Sequence, residues 1–434
     1  MEKYSEYKDS GVQWLGMIPG HWEVVSLKRI TEFNPKLSFK CYPSQIVGYA
    51  PMETIRFDRM TPKSIEYSKL STGLTYFEPG DIVMAKVTPC FENGNLSIVP
   101  SMKHKCGFGS SELFVYRVNE HIANRFLLYG LRSNAFIAKG ASTMTGTGGL
   151  KRVSSTFAKN APFPLPPLAE QEAIVAFLDE KTSKIDKLIA NKEKEIALLL
   201  EMKQRVIADA VTKGINHDVQ FKPTGISWLP QVPEHWEVLR AKNLFNKEQR
   251  PIIDGDEVVT CFRDGQVTLR KNRRLTGFTE ATNFTGYQHI CKGDLVIHQM
   301  DAFAGASGVS DSEGMGTPVL SVCTSKTDKT NHYYYAHILR LMGKNGFIFS
   351  LYRGIRERSS DFRFDTFSKL SLPVPPLTEQ EAIVAHIEDK VSKIDSLMQK
   401  LQKEIDCAKE YKQRLISDAV TGQIKVTNFK NQKI

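Results

Sequence analysis

The sequence predicts an α+β chain built by tandem duplication, with two globular α+β domains and two long helices that pair antiparallel as a coiled coil. Three observations predict it. Gly11–Arg29 (GVQWLGMIPGHWEVVSLKR) recurs 214 residues later as Gly225–Asn243 (GISWLPQVPEHWEVLRAKN), with nine identities in nineteen positions. Pro164–Leu188 (PLPPLAEQEAIVAFLDEKTSKIDKL) recurs 209 residues later as Pro373–Leu397 (PVPPLTEQEAIVAHIEDKVSKIDSL), with seventeen identities in twenty-five. Each second segment opens a long stretch free of Pro and Gly, Gln171–Thr212 and Gln380–Thr421. A period above 200 residues is too long for a solenoid and means two copies of one large module. The resulting division is a first domain over 1–165, a helix over 166–214, a second domain over 215–374, and a helix with a tail over 375–434.

Between the repeated ends the two halves diverge. Only islands align: Gly80-Asp81-Ile82-Val83 with Gly293-Asp294-Leu295-Val296, and Leu131-Arg132 with Leu339-Arg340. Runs such as 81–85, 113–116 and 295–297 read as strands, and Asn124–Leu131 and Tyr333–Met342 as helices. Glycine-rich loops are expected at Thr145–Gly149 and Gly305–Gly308. A shared frame around private middles points to two specificities on one scaffold, and neutral drift after duplication is the plain alternative.

Each long helix carries one apolar stripe at three- and four-residue steps, including Ile174, Leu178, Ile185 and Leu199 in the first and Ile383, Ile394, Leu401 and Leu415 in the second. These eight are the candidate partner-binding positions. Thr378 and Glu381 read as a capping box that the first copy, with Ala169, lacks. Gly214 and Gly422 stand where helices end.

Composition narrows the function. Hydrophobic residues make up 41% and charged residues 24%, as in an ordinary globular protein. The net charge of +10 suggests an acidic partner such as nucleic acid. No apolar run is long enough to span a bilayer, and the polar start is unlike a signal peptide. The seven cysteines never form a CxxC pair, which argues against a disulfide framework and a zinc site. A reduced, cytoplasmic protein without membrane contact is expected.

Catalytic motifs are missing. Nothing matches the phosphate loop of nucleotide hydrolases, and no [DN]PP[YF] motif stands ready to hold a flipped base. Glu201-Met202-Lys203 and Glu410-Tyr411-Lys412 fit half a nuclease motif but lie on the long helices, where solvated charges explain them. His332 and His337 miss the four-residue spacing of a helical metal pair. No cofactor, metal or catalytic residue is assigned. The candidate DNA-binding residues are Lys86, Lys105, Lys151 and Arg152 in the first half. In the second they are Arg263, Arg270, Lys271, Arg273 and Arg274, with Arg353, Arg356 and Arg358. Arginine reads guanine edges bidentately and anchors phosphates, whereas lysine acts as a point charge.

With both HWE segments, both PPLAEQ/PPLTEQ-initiated helices and the paired GD[IL]V islands in hand, the chain closely resembles the DNA-specificity subunit of type I restriction-modification systems. The resemblance covers essentially the whole chain, the helical segments best and the middles loosely. It implies that each middle is a target-recognition domain reading one half of a bipartite site on double-stranded DNA. It further implies that the helices set the unread gap and dock two copies of a methyltransferase subunit, and that restriction-translocase subunits join the complex. A self-sufficient methyltransferase or nuclease with degenerate motifs, and a helical adaptor without nucleic acid, stay open as alternatives. S-adenosylmethionine binding by the isolated chain would favour the first, and DNA binding that is absent or insensitive to salt the second.

Overall fold

The computed structural model describes residues 2–147, 149–216, 218–277, 283–351 and 362–426. The chain forms two compact units, Met1–Glu193 with Gln402–Ile434 and Lys194–Leu401. The division falls inside both long helices, so each unit holds one globular region, the start of one helix and the end of the other.

In the first unit the shared frame is a four-stranded antiparallel sheet of β1 (Thr31–Phe33), β2 (Ile82–Ala85), β3 (Leu96–Ile98) and β4 (Leu113–Val118), in the order β3-β2-β4-β1. Helix α1 (Asn124–Arg132) covers it, and the long helix α2 (Leu168–Lys213) follows. The second unit repeats this with β5 (Phe245–Glu248), β6 (Leu295–His298), β7 (Ser307–Val309) and β8 (Leu320–Ser325), ordered β7-β6-β8-β5. Helix α3 (His332–Lys344) and the long helix α4 (Leu377–Val420) complete it. Two hairpin-like ladders also recur: Glu23–Ser26 pairs with Pro162–Leu165, and Glu237–Arg240 with Ser371–Val374.

The private parts differ in architecture. The first unit adds a second four-stranded sheet, with Ile46–Ala50 parallel to Gly107–Gly109 and flanked by Lys63–Glu66 and Thr75–Phe77. The second unit has two separate two-stranded ladders there, Val259–Cys261 with Val267–Leu269 and Gln288–Ile290 with Gly314–Gly316. Each private part has its own small apolar core.

The apolar stripes of the long helices close each main core. In the first unit Ile174 and Leu178 of α2 meet Leu415, Ile416, Ala419 and Val420 of α4 around Trp22 and Phe126. In the second unit Ile383 and Ile387 of α4 meet Ala210 and Val211 of α2 around Trp236 and Tyr334. The helix segments run antiparallel within each unit. Asp186 pairs with Lys412 at 2.6 Å and Glu193 with Lys409 in the first, and the repeat-related Asp395 with Lys203 at 2.7 Å in the second.

Several expectations need correction. Ile174, Leu178, Ile383, Ile394, Leu401 and Leu415 are buried and Ile185 and Leu199 half-buried within the chain. Burying such side chains stabilises the fold by about 1.5–3 kcal/mol each, so the stripe is internal packing and not an outer docking surface. Lys203 and Lys412 are held by carboxylates across the helix pair and are not merely solvated. No capping box forms: α4 starts at Leu377, before Thr378, and the amides of Glu379 and Gln380 donate to the Pro376 carbonyl. In α2 Glu170 and Gln171 do the same to Pro167, so both helices start alike. Gly305–Gly308 is not wholly a loop, since Ser307 opens β7.

Candidate nucleic-acid interface

The repeated motifs form one joint per unit. His21 of the first HWE segment meets Glu170 of the PPLAEQ segment at 2.8 Å, and His235 meets Glu379 at the same distance. The next residue, Gln171, is fully buried. Its Nε2 donates to the carbonyls of Pro166 and His121 at 2.8 and 3.0 Å, and its Oε1 accepts from the Ala123 amide. Gln380 makes the matching three bonds with Pro375, Lys329 and Asn331. A primary amide offers both a donor and an acceptor, which this junction needs. The recurring letters E and Q thus tie the helix start to the HWE segment and to the loop before α1 or α3.

The GD[IL]V islands recur for a similar reason. Asp81 accepts from the Glu78 amide and from the Arg117 guanidinium, at 2.8 and 2.9 Å. Asp294 accepts from the Cys291 amide and pairs with Arg250. The arginine comes from β4 in one unit and from just beyond β5 in the other, so the buried carboxylate is retained while its partner changed strands.

In the first unit the structure brings Lys86, Lys151 and Arg152 together. Residues 151–153 lie along the end of β2: the Val153 amide donates to the Lys86 carbonyl at 2.8 Å and the Thr88 amide to the Lys151 carbonyl at 2.9 Å. Lys86 Nζ donates to the Ser111 carbonyl at 2.7 Å and lies 5.5 Å from the Phe114 ring centroid. Arg152 grips Glu112 with two bonds of 2.9 and 2.8 Å, and this holds the Glu112 carboxyl below its usual range. Lys151 is exposed. Lys105 stands apart, exposed beside Cys106 of the second sheet's core.

In the second unit five of the eight predicted cations cluster on the Val259–Leu269 hairpin, the 3-10 turn Arg270–Asn272 that follows it and the two residues after that turn. Arg263 pairs with Asp301 at 2.9 Å. Arg273 pairs with Asp264 at 2.7 Å and stacks 4.4 Å from the Phe262 ring centroid. Lys271 pairs with Glu257, and Arg274 donates to the Thr276 and Gly277 carbonyls. Arg270 and Arg274 both line two surface hollows, of about 330 and 280 Å³, that also include Tyr287 and Phe284 in one and His298 and Thr317 in the other. Burial lowers the His298 pKa, so the ring is a neutral hydrogen-bonding group. Arg353, Arg356 and Arg358 lie outside the described residues. Among the described residues no cluster of His, Cys, Asp and Glu is arranged to hold a metal ion, and no helix is long and apolar enough to cross a membrane.

Sequence reasoning did not assign the acids that hold these cations. Glu112, Asp264 and Asp301 lie 40, 9 and 38 residues from their partners, and no local pattern links them.

Comparison with known proteins matches residues 19–198 to the type I restriction modification DNA specificity domain. The specificity subunit of type I restriction enzyme EcoAI from Escherichia coli is 34% identical over 226 residues, 51% of this chain and 37% of that one. The EcoEI specificity subunit, also from E. coli, is 36% identical over 162 residues, 36% of this chain and 27% of that one. Both alignments thus span less than half of these relatives. A putative MjaX specificity subunit from Methanocaldococcus jannaschii is 24% identical across 95% of this chain and 96% of its own length. Among solved structures, a chain from a type I restriction-modification complex matches with a TM-score of 0.70 at 18% identity, covering 94% of this chain and 99% of that one. The HsdS subunit from Thermoanaerobacter tengcongensis matches at 0.53 with 19% identity, covering 94% and 98%. The solved structures establish the fold, and residues 19–198 are similar to the type I restriction modification DNA specificity domain.

Proposed function

We propose that this chain is the non-catalytic DNA-reading subunit of a type I restriction-modification complex, each unit reading one half of a bipartite site in the duplex. The observation that carries this reading is the contrast between frame and private part. Two units keep the same sheet order, the same Gln and His–Glu joints and the same helix pairing, while their private parts differ in architecture and their cations cluster at different places, at the end of β2 in the first unit and on the private hairpin in the second. One scaffold with two different faces suits two different half-sites. The cations Lys86, Lys151 and Arg152 in the first unit, and Arg263, Arg270, Lys271, Arg273 and Arg274 in the second, are the proposed contacts. Lys105, Arg353, Arg356 and Arg358 remain proposed contacts on sequence grounds alone. Phosphate contacts supply affinity and base-edge contacts supply specificity.

In this reading the long helices set the number of unread base pairs between the half-sites, and two methyltransferase subunits and the restriction-translocase subunits dock on the chain. With the stripe residues buried, docking falls to outward helix residues such as Leu198, Met202 and Leu397, all exposed. The complex works in the cytoplasm, where the DNA is.

Methylome sequencing of cells expressing the chain with its methyltransferase tests the proposal. The expected result is one methylated motif made of two short specific halves separated by a fixed unread gap. A contiguous motif, or methylation unchanged by the presence of the chain, would overturn it.

A further inference from the structure

The Leu-Arg island recurs in both units, yet neither arginine belongs to the joints or to the divergent cation clusters. Arg132 ends α1 and Arg340 lies in the second half of α3. Each is half-buried. Each lies beneath a loop glycine in the left-handed region, Gly94 (φ 65°) over Arg132 and Gly265 (φ 90°) over Arg340. A Cβ on Gly94 would sit 2.5 Å from Arg132 Nε, and one on Gly265 would sit 2.3 Å from Arg340 Cδ. The two roofs come from different loops, one between β2 and β3 and the other at the tip of the Val259–Leu269 hairpin. The same placement has therefore been kept on two unlike surroundings.

Among the described residues neither cation has a direct counter-charge: neither guanidinium has a carboxylate within ion-pair distance. Arg132 has no hydrogen-bond acceptor there and rests 5.6 Å from the Phe57 ring centroid. Among the described residues Arg340 bonds only to neutral groups: the Ala336 and Asp264 carbonyls at 3.3 and 3.4 Å, and His337 Nδ1 at 3.1 Å. Burial pulls both guanidinium pKa values down and that of the neighbouring Lys344 with them. A desolvated guanidinium without an anion is an unmet electrostatic demand, and its planar fork suits a phosphate.

We propose that Arg132 and Arg340 each hold one phosphate of the DNA backbone, an anchor independent of base sequence and repeated in the two units. This rests on the DNA-reading function above and separates two classes of contact within it. Residues that read bases must differ between units with different half-sites, as the clustered cations do. A phosphate is the same at every half-site, so its ligand is free to stay the same.

The test uses the full chain in complex with its methyltransferase and fluorescent duplexes, one carrying the methylated motif and one scrambled. Affinity is measured between roughly 50 and 200 mM salt, with thermal melting as a check on folding. Arg132→Gln and Arg340→Gln are each expected to weaken both duplexes by the same factor. Each should also make the log–log salt dependence shallower by about 0.9, the loss of one phosphate contact. Arg132→Lys and Arg340→Lys, which keep charge and packed stem, should retain the steeper slope. The two positions are independent, so a variant that fails to fold at one leaves the other and both Lys variants to decide. A folded Gln variant with an unchanged slope would overturn the proposal, as would loss confined to the motif duplex, which marks base reading. Loss of methyltransferase assembly with DNA affinity of the intact complex unchanged would mark a protein contact and overturn it too. If the wild-type complex bound neither duplex, the DNA-reading function itself would fall.

Discussion

The two units share their joints and differ where those joints meet the rest of each fold, as their HWE tryptophans show. Trp22 and Trp236 are both fully buried and repeat-related. Trp236 Nε1 donates to Glu379 at 3.1 Å. Trp22 Nε1 has no partner among the described residues, because Glu170 is taken by Tyr4, whose hydroxyl donates to it. Tyr4 comes from the N-terminal segment, which also meets the segment after α4 through a bond from the Lys425 amide to the Glu2 carbonyl. In the second unit Glu379 accepts from His235 and Trp236, and among the described residues no tyrosine bonds to it. A repeated motif thus fixes the geometry of a joint while its surroundings decide which polar groups are satisfied.

Breaking a shared feature should hurt both units equally. Gln171→Ala and Gln380→Ala each leave a half-buried amide N–H without its acceptor, at Ala123 and Asn331. Each should destabilise its own unit by about 2–3 kcal/mol. Hydrogen exchange measured peptide by peptide checks this, with faster exchange confined to the mutated unit. A cost in one unit only would mean that the joints are not equivalent.

A difference between the units should appear in acid. His337 packs inside α3, and burial pulls its pKa from 6.5 down to about 3. Its repeat equivalent is Tyr129, whose hydroxyl donates to Asp179 at 2.6 Å and does not titrate in this range. Between pH 6.5 and 3 the unfolded chain takes up a proton at His337 that the folded unit refuses. Stability is therefore whole above 6.5 and falls as pH drops, by up to about 1.4 kcal/mol per pH unit from this group. By pH 5 the second unit should have lost about 2 kcal/mol on this account. Denaturation of wild type and His337→Gln at pH 7 and pH 5, read by exchange in each unit, measures it. An equal pH dependence in both proteins would remove His337 as the source.

The smallest expected effect sharpens the opening comparison. Trp236→Phe loses a hydrogen bond to a carboxylate and Trp22→Phe loses none, so the first should cost about 1 kcal/mol more than the second. Equal costs would show that the indole of Trp22 is satisfied in solution.

The duplication, both long helices, the two short helices α1 and α3 and the strands carrying the GD[IL]V islands were legible in the residues. Each rests on a local cause: apolar periodicity, helix-breaking prolines and glycines, or the recurrence of a motif. The Thr378 capping box failed because the backbone carbonyl of Pro376 takes the first amides of the helix, a choice made by the geometry of the preceding strand. The cation clusters were legible as composition, but their order was not. Lys105 is near Cys106 in the chain and away from Lys86 in space, while Arg152 reaches Lys86 only because two distant segments form a bridge between Val87 and Arg152.

By itself, then, the sequence determined that there are two copies of one module, which residues form the helices, and which of their faces are apolar, since these follow from spacing along one chain. Only the tertiary structure decided what those faces meet. It closed each core with the start of one helix and the end of the other, burying the stripe that seemed available to partners. It also gave some cations an acid and, among the described residues, left Arg132 and Arg340 without one at ion-pair distance. Packing and ion pairing depend on residues tens to hundreds of positions apart, and no local spacing encodes which of them will meet.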